Sequence, residues 1–327
     1  MRRLLGPIIF GLGVFLLAAG LLIRFYAYPR VAVAPIDQNS VTKLQATGAE
    51  IFDTTTLKPL STDLSIQSRT VGDVKASQDE GNNVRVWVGT TSIRSADGTV
   101  RSRSTERSPF DATTAEAVNC CGAFDESTEG DRKAVKRTGL VWKWPFDTQK
   151  KDYEVWDGTL GAAVTAKYVG ESSVKGLKTY EFKLTVPKTK VGTTQVPASV
   201  VGEPGSGNVE ADNMYSTTNT YQIEPYTGAI VTQSLDSDNT LAVNGVDKVT
   251  TTKANIEYTP ATVDSNVSDF KSKASLLKLV KTTGPIITVV LGLLLMVLGF
   301  VLGRRNESAE ATSRQGVSPD VSPAAAG

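Results

Sequence analysis

The sequence predicts a membrane-anchored, mainly β (α+β) extracytoplasmic domain between two terminal transmembrane helices. Three observations carry this. Long apolar runs lie near both ends of the 327 residues; the stretch between them alternates apolar and polar side chains; and charge is segregated between these regions. The chain holds 35 Lys+Arg against 34 Asp+Glu, yet Val31 to Val263 alone holds 24 against 29, a net of −5. Basic residues gather beside the apolar runs, and the middle is acidic.

The first run, Leu4 to Ile23, is 20 residues without a charge. As a helix rising about 1.5 Å per residue it matches a hydrocarbon core of about 30 Å. Arg2 and Arg3 precede it, and Arg24, Phe25, Tyr26 and Tyr28 follow at interface depth. A cleaved signal peptide is the rival reading. Its apolar core is shorter, about 7–15 residues, and ends at a small-x-small site. Here the Ala-x-Ala downstream is Ala32-Val33-Ala34, with Pro35 next, so an uncleaved anchor is expected. The second run, Ile286 to Leu302, spans 17 residues and is interrupted by Thr288, Gly292 and Gly299. Lys278 and Lys281 lie before it, and Arg304 and Arg305 after it.

Positive charge close to the spans sets orientation. The expected organisation is a cytoplasmic N-terminus (1–3), transmembrane helix 1 (4–23), an extracytoplasmic β-rich domain (24–284), transmembrane helix 2 (285–302) and a disordered cytoplasmic tail (303–327). This is a two-pass protein of the plasma (inner) membrane with both termini cytoplasmic.

Alternation from Val84 to Val88, Val164 to Val169 and Tyr180 to Val186 predicts strands. Gly170 to Gly176, Pro225-Tyr226-Thr227-Gly228 and Asn244-Gly245 are hairpin connections. Short helices are expected over 112–118 and 131–135. A longer membrane-proximal helix, about 268–284, starts near Ser268 and carries Lys271, Lys273, Lys278 and Lys281. The stretch 187–214 reads as loop, either a boundary between two lobes or a lid.

The chain has no histidine, which excludes Ser-His-Asp and Cys-His catalysis and His-ligated metals. The near-neutral balance argues against nucleic acid as a partner. Ser172-Ser173-Val174-Lys175 and Ser237-Asp238-Asn239 match motifs of serine acyl enzymes. The third element would be K-T-G, and the chain offers Lys281-Thr282-Thr283-Gly284 at the bilayer edge. The first motif also falls in a hairpin instead of opening a helix, so the match reads as chance. No acidic loop has calcium-site spacing, and no metal or cofactor is expected. Cys120-Cys121 are adjacent. Their Cα atoms, about 3.8 Å apart, fall below the usual disulfide range. A vicinal disulfide is the one intrachain bridge available, with free thiols or an interchain bond as alternatives. Trp142, Trp144, Phe146, Tyr153 and Trp156 cluster beside Asp147, Asp152, Glu154 and Asp157. They suit a glycan-stacking or lipid-contact surface, or else the main core with its acids on solvated turns.

The chain resembles an actinobacterial membrane-protein family of poorly known function labelled porin PorA-like. The resemblance rests on Gly11 to Gly20 in the first span, Asn119-Cys120-Cys121-Gly122, Val141-Trp142-Lys143-Trp144-Pro145-Phe146-Asp147 followed by Tyr153 and Asp157, and the second span. It implies a place in a mycolate-type cell envelope and involvement in lipid or lipoglycan assembly, and it supplies no catalytic residues. Two apolar helices do not enclose a channel by themselves. The expectation is therefore a non-catalytic envelope protein that binds or transfers lipid or lipoglycan, or supports envelope-assembly enzymes, through Trp142 to Trp156. Its partners would be membrane lipids, envelope lipoglycan or those enzymes. The alternative is an oligomeric channel subunit, and a serine acyl enzyme is a distant third.

Overall fold

In this computed structural model residues 5–314 are described apart from Asn82, with side chains as far as Arg304. The chain divides into two compact units, one formed by the segments before Ala32 and after Ser275 and the other by Ala32–Ser275. Arg2, Arg3 and the Arg305 side chain lie outside the described residues.

In the first unit, helix α1 (Leu5–Val31) packs against α4 (Gly284–Arg314). The seam is made by glycine. Gly6, Gly13 and Gly20 recur every seven residues and are the buried positions of Leu5–Leu22. A Cβ on Gly13 would lie 2.6 Å from Gly292 O, and one on Gly299 would lie 2.5 Å from Phe10 N. A seven-residue repeat keeps one edge of a helix turned to its partner, and small residues let the backbones approach. The large residues Ile8, Leu12, Phe15, Leu22, Ile287, Leu294, Val297 and Val301 are left exposed. Both helices are long and apolar enough to cross a membrane. Each carries a π-helical turn, Ile23–Ala27 in α1 and Leu279–Thr283 just before α4, and these turns meet.

The second unit is one antiparallel sheet of twelve strands: β1 (Asn39–Asp53), β2 (Lys58–Gly72), β3 (Val84–Ser95), β4 (Val100–Asp111), β5 (Phe124–Glu126), β6 (Arg132–Ala134), β7 (Tyr153–Asp157), β8 (Ala162–Val174), β9 (Leu177–Pro197), β10 (Asn208–Glu224), β11 (Ala229–Val243) and β12 (Val246–Tyr258). Their order is β6-β5-β4-β3-β2-β1-β12-β11-β10-β9-β8-β7. Two meanders, each strand pairing with its sequence neighbour, are thus joined through β1 and β12. Strand β7, at one end of the sheet, is also linked back to β4, the third strand from the other end. Ala117 bridges to Phe110 of β4, Glu116 to Leu140, and Leu140 to Val155 of β7. Single-residue bridges therefore complete a hydrogen-bonded ring.

Its outer positions are charged: Lys43, Asp63, Arg69, Lys167, Glu171, Lys183, Lys253 and Glu257 are exposed along the strands. A membrane-spanning barrel instead presents an apolar band about 25 Å tall. The largest core gathers Trp87, Phe110, Leu140, Trp144, Phe182 and Ile223 near the ring closure. Smaller clusters surround Leu64 and Ile66, and Leu241 and Val243.

The hairpins form where expected. Lys175-Gly176 and Asn244-Gly245 are two-residue turns with positive φ at both residues, 47° and 80°, then 52° and 76°. Several expectations are corrected. Neither 112–118 nor 131–135 is helical: residues 116 and 117 make the bridges of the ring, and 132–134 are β6. The stretch read as loop narrows to 198–207, because β9 runs on to Pro197 and β10 begins at Asn208. The membrane-proximal helix α3 (Pro260–Lys278) starts eight residues before the expected position. Thr259 caps it, accepting from Thr262 N at 3.3 Å, and Pro260 opens its first turn, a favoured place for proline. Helix α4 continues to Arg314, past the expected start of a disordered tail; residues 315–327 lie outside the described residues. The remaining helix, α2 (Val74–Glu80), is capped by Asp73.

Candidate functional site: the segment that closes the sheet

The aromatic segment begins at Leu140, in the strap that links β7 back to β4. Gly139, at φ 72°, packs so closely on β7 that a Cβ would lie 2.6 Å from Glu154 O. Leu140 N then donates to Glu154 O at 2.7 Å, and Trp156 N to Leu140 O at 3.0 Å. On the other side Val141 N donates to Ala115 O at 3.0 Å. The strap continues through Trp142, which takes φ 66°. Its indole lies over Gly89, where a Cβ would come within 2.7 Å of the ring, and Nε1 donates to Ser108 O at 3.1 Å. Trp144 is 2% exposed, between Tyr221 at 4.7 Å and Phe182 at 5.5 Å between ring centres. Its N–H donates to Gly228 O at 2.8 Å, while a Cβ on Gly228 would lie 2.1 Å from Trp144 O. Asp147 N and Thr148 N donate to Tyr226 O and Pro225 O. The strap is thereby clamped to the β10–β11 turn.

Of the five aromatic residues singled out by sequence, Trp144 is fully buried and Trp142, Phe146, Tyr153 and Trp156 are half-buried against the same core. Tyr153 Oη accepts from Gln149 N at 2.9 Å, and its ring meets Phe182 edge-on. Beside them lie Tyr168 and Tyr180, with exposed Lys150 over Tyr180 at 5.7 Å and Lys151 over Tyr153 at 5.3 Å.

Sequence reasoning missed the charged centre of this strap. Lys143 Nζ is sealed from solvent, has no hydrogen-bond partner among the described residues, and lies 3.5 Å from the centre of the Phe146 ring. Burial lowers its pKa to about 7, against the opposing pull of Glu224. Glu224, 2% exposed, accepts from Tyr226 N, Thr227 N and Thr227 Oγ1 at 3.0, 2.8 and 2.6 Å. Burial nevertheless raises its pKa. The available signal was a lysine flanked by two tryptophans, and a glutamate opening a Pro-Tyr-Thr-Gly turn.

Cys120 and Cys121 are bonded to each other, and Cys121 takes φ 60°. Arg107 Nε donates to Cys121 O at 3.0 Å, and Asn119 exchanges hydrogen bonds of 3.0 and 2.9 Å with the Arg137 backbone. The nearby basic run is largely paired with acids: Arg101 with Asp53 and Asp97, Arg107 with Asp73, Arg132 with Glu126, and Arg137 with Asp125 and Glu106. Of the membrane-proximal basic residues, Arg24 and Lys281 converge on the Tyr28 ring at 5.4 and 5.9 Å, and Arg304 lies over Phe300 at 4.9 Å. Lys278 ends α3. Ser172 and Lys175 lie on the β8–β9 hairpin, where Lys175 pairs with Asp264.

A twelve-stranded sheet closed on itself between β4 and β7, with two apolar, glycine-paired helices at the ends of the sequence, defines a class of protein with one β-sheet domain and two helices able to cross a membrane. The sequence model of the porin PorA family matches residues 5–301, both apolar helices and the whole sheet included, and the chain belongs to that family. Among curated proteins it is similar to porin PorA of Corynebacterium amycolatum, at 22% identity over an alignment covering 71% of this chain and 76% of that protein.

Proposed function

We propose that this protein is a non-catalytic, channel-class component of the cell envelope that works as an assembly of several copies. The observation that carries this reading is the porin PorA family match across residues 5–301. It favours the channel alternative over the lipid-handling function expected from the sequence. The physics adds a condition. One copy supplies a single helix pair whose inner seam is filled by its own glycines and whose outer residues are apolar. The charged outer positions of the sheet suit water, not lipid. A conduit in the bilayer therefore needs helix pairs from more than one copy. In this reading the sheet is extracytoplasmic and both termini are cytoplasmic.

The test is conductance of the purified full-length protein in planar bilayers over a range of protein concentrations. Stepwise conductance rising more steeply than in proportion to concentration supports the reading. Silence from protein shown to be inserted overturns it.

A second reading rests on a different observation: the half-buried rings of Phe146, Tyr153, Tyr168 and Tyr180 stand beside exposed Lys150 and Lys151. An aromatic surface edged with cations suits the sugar rings and anionic groups of a lipoglycan, or a lipid headgroup. Mass spectrometry of lipid co-purifying with the protein, compared with a Lys150→Ala/Lys151→Ala variant, tests it. Lipid retained equally by both would remove this surface from consideration.

A further inference from the structure

The vicinal disulfide sits against a carboxylate. One Glu80 oxygen and the sulfurs of Cys120 and Cys121 all lie within 4.8 Å of one another. They come from two separate pieces of chain, the end of α2 and the 119–122 turn, and one guanidinium ties these together. Arg107 on β4 donates from Nε to Cys121 O at 3.0 Å, and its Nη1 lies 2.9 Å from Asp73. Asp73 is the N-cap of the helix that ends on Glu80, accepting from Ala76 N at 3.0 Å. Asn119 is latched to the Arg137 backbone through both its side-chain atoms. None of these contacts uses a sulfur atom directly.

We propose that reduction of the Cys120–Cys121 bond turns this corner into a binding site for one zinc-class divalent cation, held by the two sulfurs and the Glu80 carboxylate. The step balances. Two equivalents of a thiol reductant, or one of a protein dithiol, deliver two electrons and two protons. The S–S bond breaks, the reductant leaves as its disulfide, and two cysteine thiols form. Cation binding then displaces both thiol protons. Bonded to each other the sulfurs are not thiolates, and the thiolate is the form that ligates metal. Two thiolates and one carboxylate are a borderline-soft donor set, which selects zinc or cobalt over magnesium or calcium, both of which take oxygen ligands. Three protein ligands leave a fourth tetrahedral position for water. Glu80 is exposed and both cysteines are partly so, leaving the bond open to a reductant and the site open to the cation.

The experiment uses the full chain in detergent, reduced with a phosphine that is then removed, and titrated with Co2+ as a spectroscopic probe. The expected result is one equivalent of Co2+ with a thiolate-to-cobalt charge-transfer band, displaced by Zn2+, and no band from the oxidised chain. Glu80→Gln should weaken binding by on the order of tenfold or more, since even outer-shell losses at metal sites cost on the order of 10–100-fold. Cys120→Ser should abolish the band. No band from reduced protein with an unchanged far-UV circular dichroism spectrum overturns the proposal. Equal affinity in Glu80→Gln overturns it too, because unstructured thiols would bind without the carboxylate. Loss of the β-sheet spectrum on reduction overturns the claim that the frame stands without the S–S bond.

Discussion

Lys143 carries an ammonium group that its surroundings disfavour. Its pKa stands at about 7, lowered from 10.5 by burial. Between those values the unfolded chain holds a proton that the folded chain has released. Stability gained from this group therefore rises with pH through that window. Lys143→Met should flatten that part of the stability–pH curve, measured by denaturant unfolding in detergent with tryptophan fluorescence; an unchanged slope would refute the assignment. Gly228 offers a second test at this scale. Its φ of 66° alone should cost Gly228→Ala about 1–2 kcal/mol, and the contact with Trp144 O at 2.1 Å should add to that. Gly202→Ala, at φ 67° with nothing within 4 Å, should show the backbone cost alone. Trp144→Ala removes a 2% exposed indole and should cost about 3–5 kcal/mol. The sequence marked the tryptophans as a cluster but not Lys143 or Glu224, because the burial of a single charged side chain has no periodicity to reveal it.

Among the elements, the two apolar helices were legible from hydropathy and the hairpins from Gly, Asn and Pro, since both signals are local. The seven-residue glycine repeat was not read from the sequence, because only its pairing with Gly292 and Gly299 gives it meaning. It separates two neighbouring positions in one helix. Gly13→Leu should disrupt the helix pair and lower the melting temperature in detergent, because its Cβ would meet Gly292 O and the Met296 side chain. Gly11→Leu should be tolerated, because nothing lies within 4 Å of a Cβ there. Equal effects of the two substitutions would contradict the seam. The residues read as short helices at 112–118 and 131–135 were misjudged for a physical reason. Their few apolar residues fit either period, and the choice was made by pairing with β4, β5 and Leu140, partners distant in sequence.

For the whole molecule, a mainly β domain between two apolar helices could be read from alternation and charge segregation. The ring could not, because its closure rests on isolated bridges through Glu116, Ala117 and Leu140. The Trp-Lys-Trp-Pro-Phe-Asp segment continues from that closure at Leu140 and clamps it to the β10–β11 turn. The two apolar helices remain a lone, self-packed pair. This porin-family chain is proposed to conduct as an assembly of several copies. The most direct measurement is single-channel recording of full-length protein in planar bilayers across protein concentrations, with the Gly13→Leu variant alongside. Discrete openings whose frequency climbs faster than protein concentration, and which the variant loses, are the predicted result. Conductance strictly proportional to concentration, or none from verified inserted protein, would contradict it.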